Sequence, residues 1–310
     1  MKTAFVTGAT GFVGAHLARI LLQEGIEVRA LVRKGSDHSN LEGLPVDLRE
    51  GDLLDPPGLA RHLRGADACF HLAGAYSLPD PRDLYRINVE GTRAVLEAAL
   101  EAGCSTIIHT STMGTLSGPS RCLARETDSQ LTETASDYVK SKFQGEKVAL
   151  EIARKGAQVV IVHPSAPVGA WDRVPTVTGG RILDVLQGRL PRYIHGAINH
   201  VAARDVAWGM LLAARRGRPG THYLLAKENG NLTREEFVGL VVHTAGIEPP
   251  RAQRRLSFLR RFALGSSTGP VSSPASLACD PSWSVKELGL PQTTLEEAFR
   301  EAVEWFQTGR

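Results

Sequence analysis

Tyr138 and Lys142 stand four positions apart in the stretch SDYVKSKFQGEK, residues 136–147. On a helix, residues four apart lie one above the other on the same face, whereas residues two apart point to nearly opposite sides. Tyr138 therefore shares a face with Lys142, and Lys140 cannot join them. An ammonium beside a phenol favours the phenolate, drawing the tyrosine's pKa down from its usual value of about 10 towards the working pH. Such a tyrosine can give or take a proton. Upstream, IIHTSTMGTLS offers two hydroxyls, Ser111 and Thr112, at the end of an apolar run. Together these form an acid/base set for hydride transfer to or from a carbonyl. One hydroxyl holds the carbonyl oxygen, Tyr138 gives the proton, and Lys142 lowers the tyrosine's pKa while holding a nicotinamide ribose. Taken alone, the same stretch reads as a solvated helix with a tyrosine on its surface.

Hydride chemistry needs a dinucleotide, and the chain opens on a place to hold one. TGATGFVG, residues 7–14, follows an apolar run and begins a helical pattern marked by Val13, Leu17, Ile20 and Leu21. Gly8, Gly11 and Gly14 are spaced more widely than in G-x-G-x-x-G, but the physics is shared. Glycine tightens the turn, admits a pyrophosphate to the backbone and lets helix and strand pack closely, while the helix N-terminus offers NH groups and positive potential. Thr10, Phe12 and Val13 count with these glycines as cofactor-binding positions. The end of the second strand, VRALVRKGSD, selects the cofactor: an acidic residue holds the ribose 2'-hydroxyl of NAD, whereas arginine accepts the 2'-phosphate of NADP. Arg33 and Lys34 stand there and favour NADP over NAD, with Asp37 too far along to be the ribose partner. Asp52 and Leu53 in EGDLLD are placed at the adenine edge, and Ala73 and Gly74 in FHLAGAY where small residues let the cofactor lie against the backbone.

The elements that must position these groups alternate. Strand candidates fall at residues 5–6, 28–32, 46–48, 68–72, 106–110, 159–163 and 222–225, with helical patterns at 12–24, 57–64, 84–102, 137–155 and 295–306. Apolar strands separated by helices imply an α/β fold, a doubly wound parallel sheet covered on both faces. The expected division is a dinucleotide-binding domain over 1–165. Residues 166–310 form mainly a smaller substrate-binding region, interleaved with the sheet around 200–225. GSSTGPVSSPAS, residues 265–276, reads as a mobile loop, and the basic run RAQRRLSFLRRF before it as a solvated face.

Composition narrows the field. A net charge of +3 over 310 residues, spread along the chain, argues against a nucleic-acid partner. No apolar run approaches the roughly 20 residues that span a bilayer, and the N-terminus does not read as a signal peptide, so a soluble cytoplasmic protein is expected. Cys69, Cys104, Cys122 and Cys279 are far apart, with no C-x-x-C pair and no histidine at ligand spacing. No metal site or disulfide framework is expected, only reduced, mostly buried thiols.

With TGATGFVG, GDLLD, HLAG, NVEGT, TST, YVKSK and ELGLPQTTLEEAFREAVEWF as successive landmarks, the chain resembles the extended short-chain dehydrogenase/reductase (NAD-dependent epimerase/dehydratase) family over nearly its whole length. LVRKGSDHSNLEG, HPSAPVG, PTVTGGRI and GRPGTHYLLAKEN are most similar to its dihydroflavonol-4-reductase-like branch, which includes proteins named hopanoid-associated sugar epimerases. The resemblance implies a catalytic set of Tyr138, Lys142 and Thr112, with Ser111 adjacent. It also implies that Pro164 and Ser165 border the nicotinamide, and that Asn88 supports the central helix, where helix capping is the plainer role. Family members often pair through helices that here run over 84–102 and 137–155, which implies a homodimer. One departure concerns the substrate region: where the family commonly reads HVDDVA, this chain has Ala202, Ala203 and Arg204 before Asp205.

Three activities fit these motifs. The first is an NADP(H)-dependent reductase of a ketone or aldehyde, favoured by Arg33 and by HPSAPVG, where sugar-nucleotide members more often carry an asparagine-containing stretch. The second is a nucleotide-sugar epimerase or dehydratase that oxidises and re-reduces its substrate on a retained cofactor, with Arg181 available to a substrate phosphate. A cofactor-sensing regulator comes last, since such proteins typically lose the tyrosine or lysine that this chain keeps. Fold alone does not choose among them.

Overall fold

Seven apolar runs become one parallel sheet. Its strands are β1 (Thr3–Thr7), β2 (Glu27–Val32), β3 (Asp47–Glu50), β4 (Ala68–His71), β5 (Thr106–Thr110), β6 (Val159–Pro164) and β9 (His222–Leu225), in the order β3-β2-β1-β4-β5-β6-β9. The structure, a computed structural model, describes residues 1–116, 123–128, 135–194, 196–250 and 277–309. Cys122, the basic run at 251–262 and the serine-glycine stretch at 265–276 lie outside the described residues.

A parallel sheet buries both faces, so its central strands are covered throughout: every residue of β1, β4 and β6 is buried. On one face pack α1 (Phe12–Gln23) and α7 (Ala203–Arg216), whose Leu17, Leu21, Val206 and Met210 share a core with Val6, Val28 and Val162. Against the other pack α2 (Pro56–Leu63), α4 (Thr92–Glu101) and α5 (Asp137–Arg154), through Leu59, Leu96, Val148 and Ile152. Each such fully buried side chain stabilises the fold by about 1.5–3 kcal/mol. Cys69, Cys104 and Cys279 are free, buried thiols.

The periodicity of residues 84–102 predicts one helix, but the structure breaks it. A short α3 (Pro81–Tyr85) runs into a π-helical turn, Arg86–Gly91, and only then into α4. The wider turn presents Asn88 sideways to two neighbouring segments, a use to which π-turns are often put. Three short strands escaped the sequence pattern: β7 (Ala166–Val168), β8 (Ile198–Ala202) and β10 (Asn231–Leu232) form a second sheet ordered β10-β8-β7. With α6 (Val177–Leu186), α8 (Arg234–Ala245) and the closing helix Leu295–Thr308 they enclose a separate core around Phe237 and Phe299. Runs of two to five residues carry too little periodicity to be seen in sequence. No helix among the described residues is long and apolar enough to cross a membrane.

The departure at Ala202, Ala203 and Arg204 has a structural use. Arg204 reaches Glu297 at 2.5 Å and Glu301 at 2.7 Å on the closing helix. Asp205 accepts from the Thr293 backbone NH at 2.7 Å and its hydroxyl at 2.8 Å. The segment thus ties α7 to the chain's last helix.

Candidate active site

Strand order reverses between β1 and β4: β1 is followed outward by β2 and β3, β4 by β5 and β6. In open parallel sheets ligands bind at such a switch point, beyond the carboxyl ends of the strands. A cavity of about 210 Å³ opens there. The β1–α1 loop supplies Gly8, Gly11, Phe12, Val13 and Gly14. Leu72, Gly74, Ala75 and Tyr76 follow β4, Thr110 and Ser111 end β5, Pro164 ends β6, and α5 contributes Tyr138 and Lys142.

The loop is shaped for close backbone approach. Gly8 sits at φ +76°, and a Cβ there would come within 2.7 Å of the Ala73 nitrogen. A Cβ on Gly14 would stand 2.0 Å from the Gly8 carbonyl oxygen, so only glycine lets α1 start this near the turn. Gly11 caps α1 with no side-chain hydrogen bond, and the first turn carries no acidic residue. Its NH groups and positive end are therefore presented to the cavity, the arrangement that holds a pyrophosphate.

Other residues named from sequence lie off the cavity wall. Thr10 gives its carbonyl to Asn40 at 3.0 Å. Arg33 and Lys34 are exposed just beyond β2, and neither side chain forms an ion pair among the described residues. Asp37 is engaged by Arg173 at 2.8 Å and by the Ser39 NH at 2.8 Å. Asp52 closes a turn onto the Leu54 NH at 2.8 Å, while Leu53 packs against Gly91. The Ala73 NH bonds the Thr7 hydroxyl at 3.2 Å. Ser165, expected to border the nicotinamide, donates its hydroxyl to Asn199 Oδ1 at 3.0 Å and its NH to the Leu225 carbonyl.

The tyrosine and lysine do share a face, yet their electrostatics differ from the simple spacing argument. Burial pushes Tyr138 up to about 12, and a side-chain hydrogen bond with Thr112 only partly offsets this. Lys142 Nζ donates to the Thr110 carbonyl at 2.7 Å, and burial lowers its pKa to about 8. The expected lowering of the tyrosine by the lysine is therefore corrected. The lysine's charge is directed at a backbone oxygen and at Glu146, and desolvation dominates the phenol. Ser136 caps α5 through the Val139 NH and fixes where the tyrosine enters the cavity.

Asn88 is fully built into the site. Its amide nitrogen donates to the Ala75 carbonyl at 2.8 Å and to Ser141 Oγ at 2.9 Å, while its oxygen accepts from the Ala75 NH at 2.8 Å. It makes no helix cap. Instead it clamps the loop after β4 to α5, and so holds Gly74 and Tyr76 against Lys142 and Tyr138. The Tyr76 and Tyr138 rings lie 4.7 Å apart.

Several groups beside the site went unnoticed in the sequence. Ser111 donates to Glu146, which lies four residues beyond Lys142 on the same helical face. That spacing is the signal that could have found it. His163 and His222 come from strands that were read as apolar core, and nothing local marks them as neighbours.

A parallel sheet whose switch point opens between a glycine turn and a tyrosine-bearing helix is the frame of a nicotinamide-dinucleotide enzyme. Comparison with known proteins agrees. The model described as the NAD dependent epimerase/dehydratase family matches residues 4–226. A Synechocystis sp. protein provisionally named a dihydroflavonol 4-reductase is 38% identical over 98% of this chain and 94% of its own. Sterol demethylase protein B of Methylococcus capsulatus is 34% identical over 98% of each chain. The crystal structure of gox2253 superposes with a TM-score of 0.85 at 34% identity, covering 100% of this chain and 99% of that one. The chain belongs to the NAD-dependent epimerase/dehydratase family, the extended short-chain dehydrogenases/reductases, and is an NAD(P)-dependent enzyme.

Proposed function

We propose that the protein is an NADP(H)-dependent reductase of a small-molecule ketone or aldehyde. The observation that carries this reading is Tyr138 at the cavity wall, one helical turn from Lys142 and hydrogen-bonded to Thr112, its pKa raised by desolvation. A phenol can protonate a carbonyl oxygen as that oxygen gains negative charge. Thr112, with Ser111 beside it, would hold the oxygen, and Lys142 would hold the nicotinamide ribose. The bound cofactor supplies the hydride. Gly8, Gly11 and Gly14 would seat the pyrophosphate, and Pro164 would border the nicotinamide. Arg33 and Lys34, exposed and free of ion pairs among the described residues, would take the 2'-phosphate, Asp37 being held by Arg173 and Ser39. The reductase name borne by the Synechocystis relative points the same way.

Tyr138→Phe tests the chemistry. Turnover of a carbonyl panel with NADPH should fall by at least about a hundredfold, the usual worth of a general acid, with NADPH affinity retained. Undiminished turnover would sink the mechanism. Arg33→Asp tests the cofactor: the ratio of kcat/KM for NADPH over NADH should drop, and an unmoved ratio would refute the assignment at the end of β2. Native mass spectrometry before and after dialysis separates the reductase from an enzyme that regenerates its cofactor in place, because only the latter keeps a tightly held dinucleotide.

A further inference from the structure

Close to the tyrosines of the cavity stands a half-buried arginine with no acid to pair with. Arg181 lies on α6, one turn after Val177, and its guanidinium carbon is 5.0 Å from the centre of the Tyr193 ring. Its Nε donates to the Arg192 carbonyl at 3.0 Å. Neither Nη nitrogen has a hydrogen-bond acceptor or an ion pair among the described residues. Tyr193 is itself held, its hydroxyl donating to the Leu232 carbonyl at 2.9 Å and its ring packing on Phe237. The guanidinium is therefore set in place on a fixed aromatic face, with its outer fork unused.

The neighbouring carboxylates are engaged elsewhere. Asp184, three residues on along α6, pairs with Arg189 at 2.7 Å. Asp172 accepts from the Thr176 NH at 2.9 Å and its hydroxyl at 2.8 Å, closing the start of α6. Glu236 completes the capping box of α8 with Thr233, and Glu235 pairs with Arg234 at 3.0 Å. Only the phenols of Tyr193 and Tyr76 favour the charge on Arg181, and burial outweighs them, lowering its pKa. A desolvated cation without an anion is costly, and a bound anion removes that cost. Arg19, whose pKa burial also lowers, shows the contrast: the Ala15 and Asn40 carbonyls and the Trp171 ring occupy it.

Tyr76 joins this cation to the chemistry. It lines the cavity, its ring lies 4.7 Å from that of Tyr138, and its phenol is near enough to bear on the Arg181 charge. We propose that Arg181 seats a carboxylate of the substrate, so that the carbonyl reduced at Tyr138 belongs to a keto acid or an aldehyde acid. The proposal rests on the reductase reading and names the class of its substrate. A guanidinium fork matches a planar carboxylate through two parallel N–H···O bonds, charge for charge. A phosphate carries more charge than this fork offsets, and Arg189 and Arg173 are already paired with Asp184 and Asp37. Tyr76 and Val177 are exposed beside the path, a surface suited to the carbon frame of an organic acid more than to a hydroxyl-rich sugar. The carboxylate is a handle only. Hydride adds to the carbonyl carbon, the Tyr138 proton goes to the oxygen, and the carboxylate keeps its bonds and its charge.

The test uses the full-length protein with NADPH and keto acids of graded chain length, each beside its methyl ester and the matching keto phosphate. For the best acid, kcat/KM should exceed that of its ester by about tenfold or more, the worth of hydrogen bonds to a charged group. In Arg181→Gln that ratio should fall to near one, chiefly through the KM of the acid. Arg181→Lys should lie between, keeping the charge without the fork. Dilute guanidinium in the buffer should restore part of the ratio in Arg181→Ala. A wild-type ratio near one overturns the carboxylate site, as does an equal loss of acid and ester turnover in Arg181→Gln, the mark of a structural role. Preference for the phosphate over the acid overturns it too. Wild-type protein that turns over no carbonyl of any charge overturns the reductase reading itself, a result distinct from turnover without charge preference.

Discussion

Among the described residues five histidines are buried, and together they shape the response to acid. His16 and His163 are held down at about 4, His71 and His200 at about 3, and His109 well below its ordinary 6.5, in every case chiefly by burial. In the unfolded chain each would titrate near 6.5. Above that pH both states are neutral and the rings cost nothing. Below it the unfolded chain binds protons that the folded chain refuses, so stability falls as the pH drops through 6.5 and keeps falling towards 4. At pH 5.5 each ring costs about 1–2 kcal/mol, and five cost on the order of 5–10 kcal/mol. Total stabilities of about 5–15 kcal/mol leave little after such a loss.

Carboxyls work in the opposite sense here. Glu146, Asp172, Asp205 and Glu301 have pKa values raised by burial, so in the folded state they take up protons at a higher pH than in the unfolded chain, which offsets part of the loss. Ion-paired surface groups such as Glu151, held down to about 2 by Arg93 and Lys155, lose their contribution only as the pH falls through the range below the histidine window. The assay is urea unfolding followed by far-UV circular dichroism at a series of pH values. The midpoint should collapse between about pH 6.5 and 5. His109→Leu is the control, because neither ring nitrogen of His109 has a hydrogen-bond partner among the described residues. That variant should lose about 1–2 kcal/mol less than wild type on going from neutral pH to pH 5.5. A urea midpoint that barely moves down to pH 5 would refute the reasoning.

Two substitutions probe the frame of the site. Gly14→Ala puts a methyl 2.0 Å from the Gly8 carbonyl oxygen, so α1 must shift from the turn. It should cost about 1–3 kcal/mol in urea unfolding and weaken NADPH binding by fluorescence titration; wild-type affinity would mean that the loop does not hold the cofactor. Asn88→Ala removes three hydrogen bonds that clamp Ala75 to α5. Unfolding should show a loss of about 1–3 kcal/mol, and kcat should fall with the apparent NADPH affinity retained, whereas equal loss of both would place Asn88 at the cofactor.

The sequence carried the sheet well because parallel strands announce themselves as apolar runs, and TGATGFVG because only glycine fits its turn. Tyr138 and Lys142 were legible for the same reason, since helical spacing is a local property. What escaped was set by contacts between distant segments. The bond from Ser165 to Asn199 on β8 is one such contact. Asp37 reads as a stray acid until Arg173, far along the chain, pairs with it. The π-turn at Asn88 is invisible because residues 84–102 keep helical periodicity across it.

The largest revision concerns where the proton rests. Spacing suggests an ammonium that strips the tyrosine; the fold instead desolvates the phenol and turns Lys142 to the Thr110 carbonyl. This bears on the choice between the two chemistries. An enzyme that begins by oxidising an alcohol needs its tyrosine as phenolate, ready to accept the hydroxyl proton. An enzyme that begins by reducing a carbonyl needs the phenol. A tyrosine raised to about 12 holds its proton at rest, the form that the proposed reductase needs for its first step.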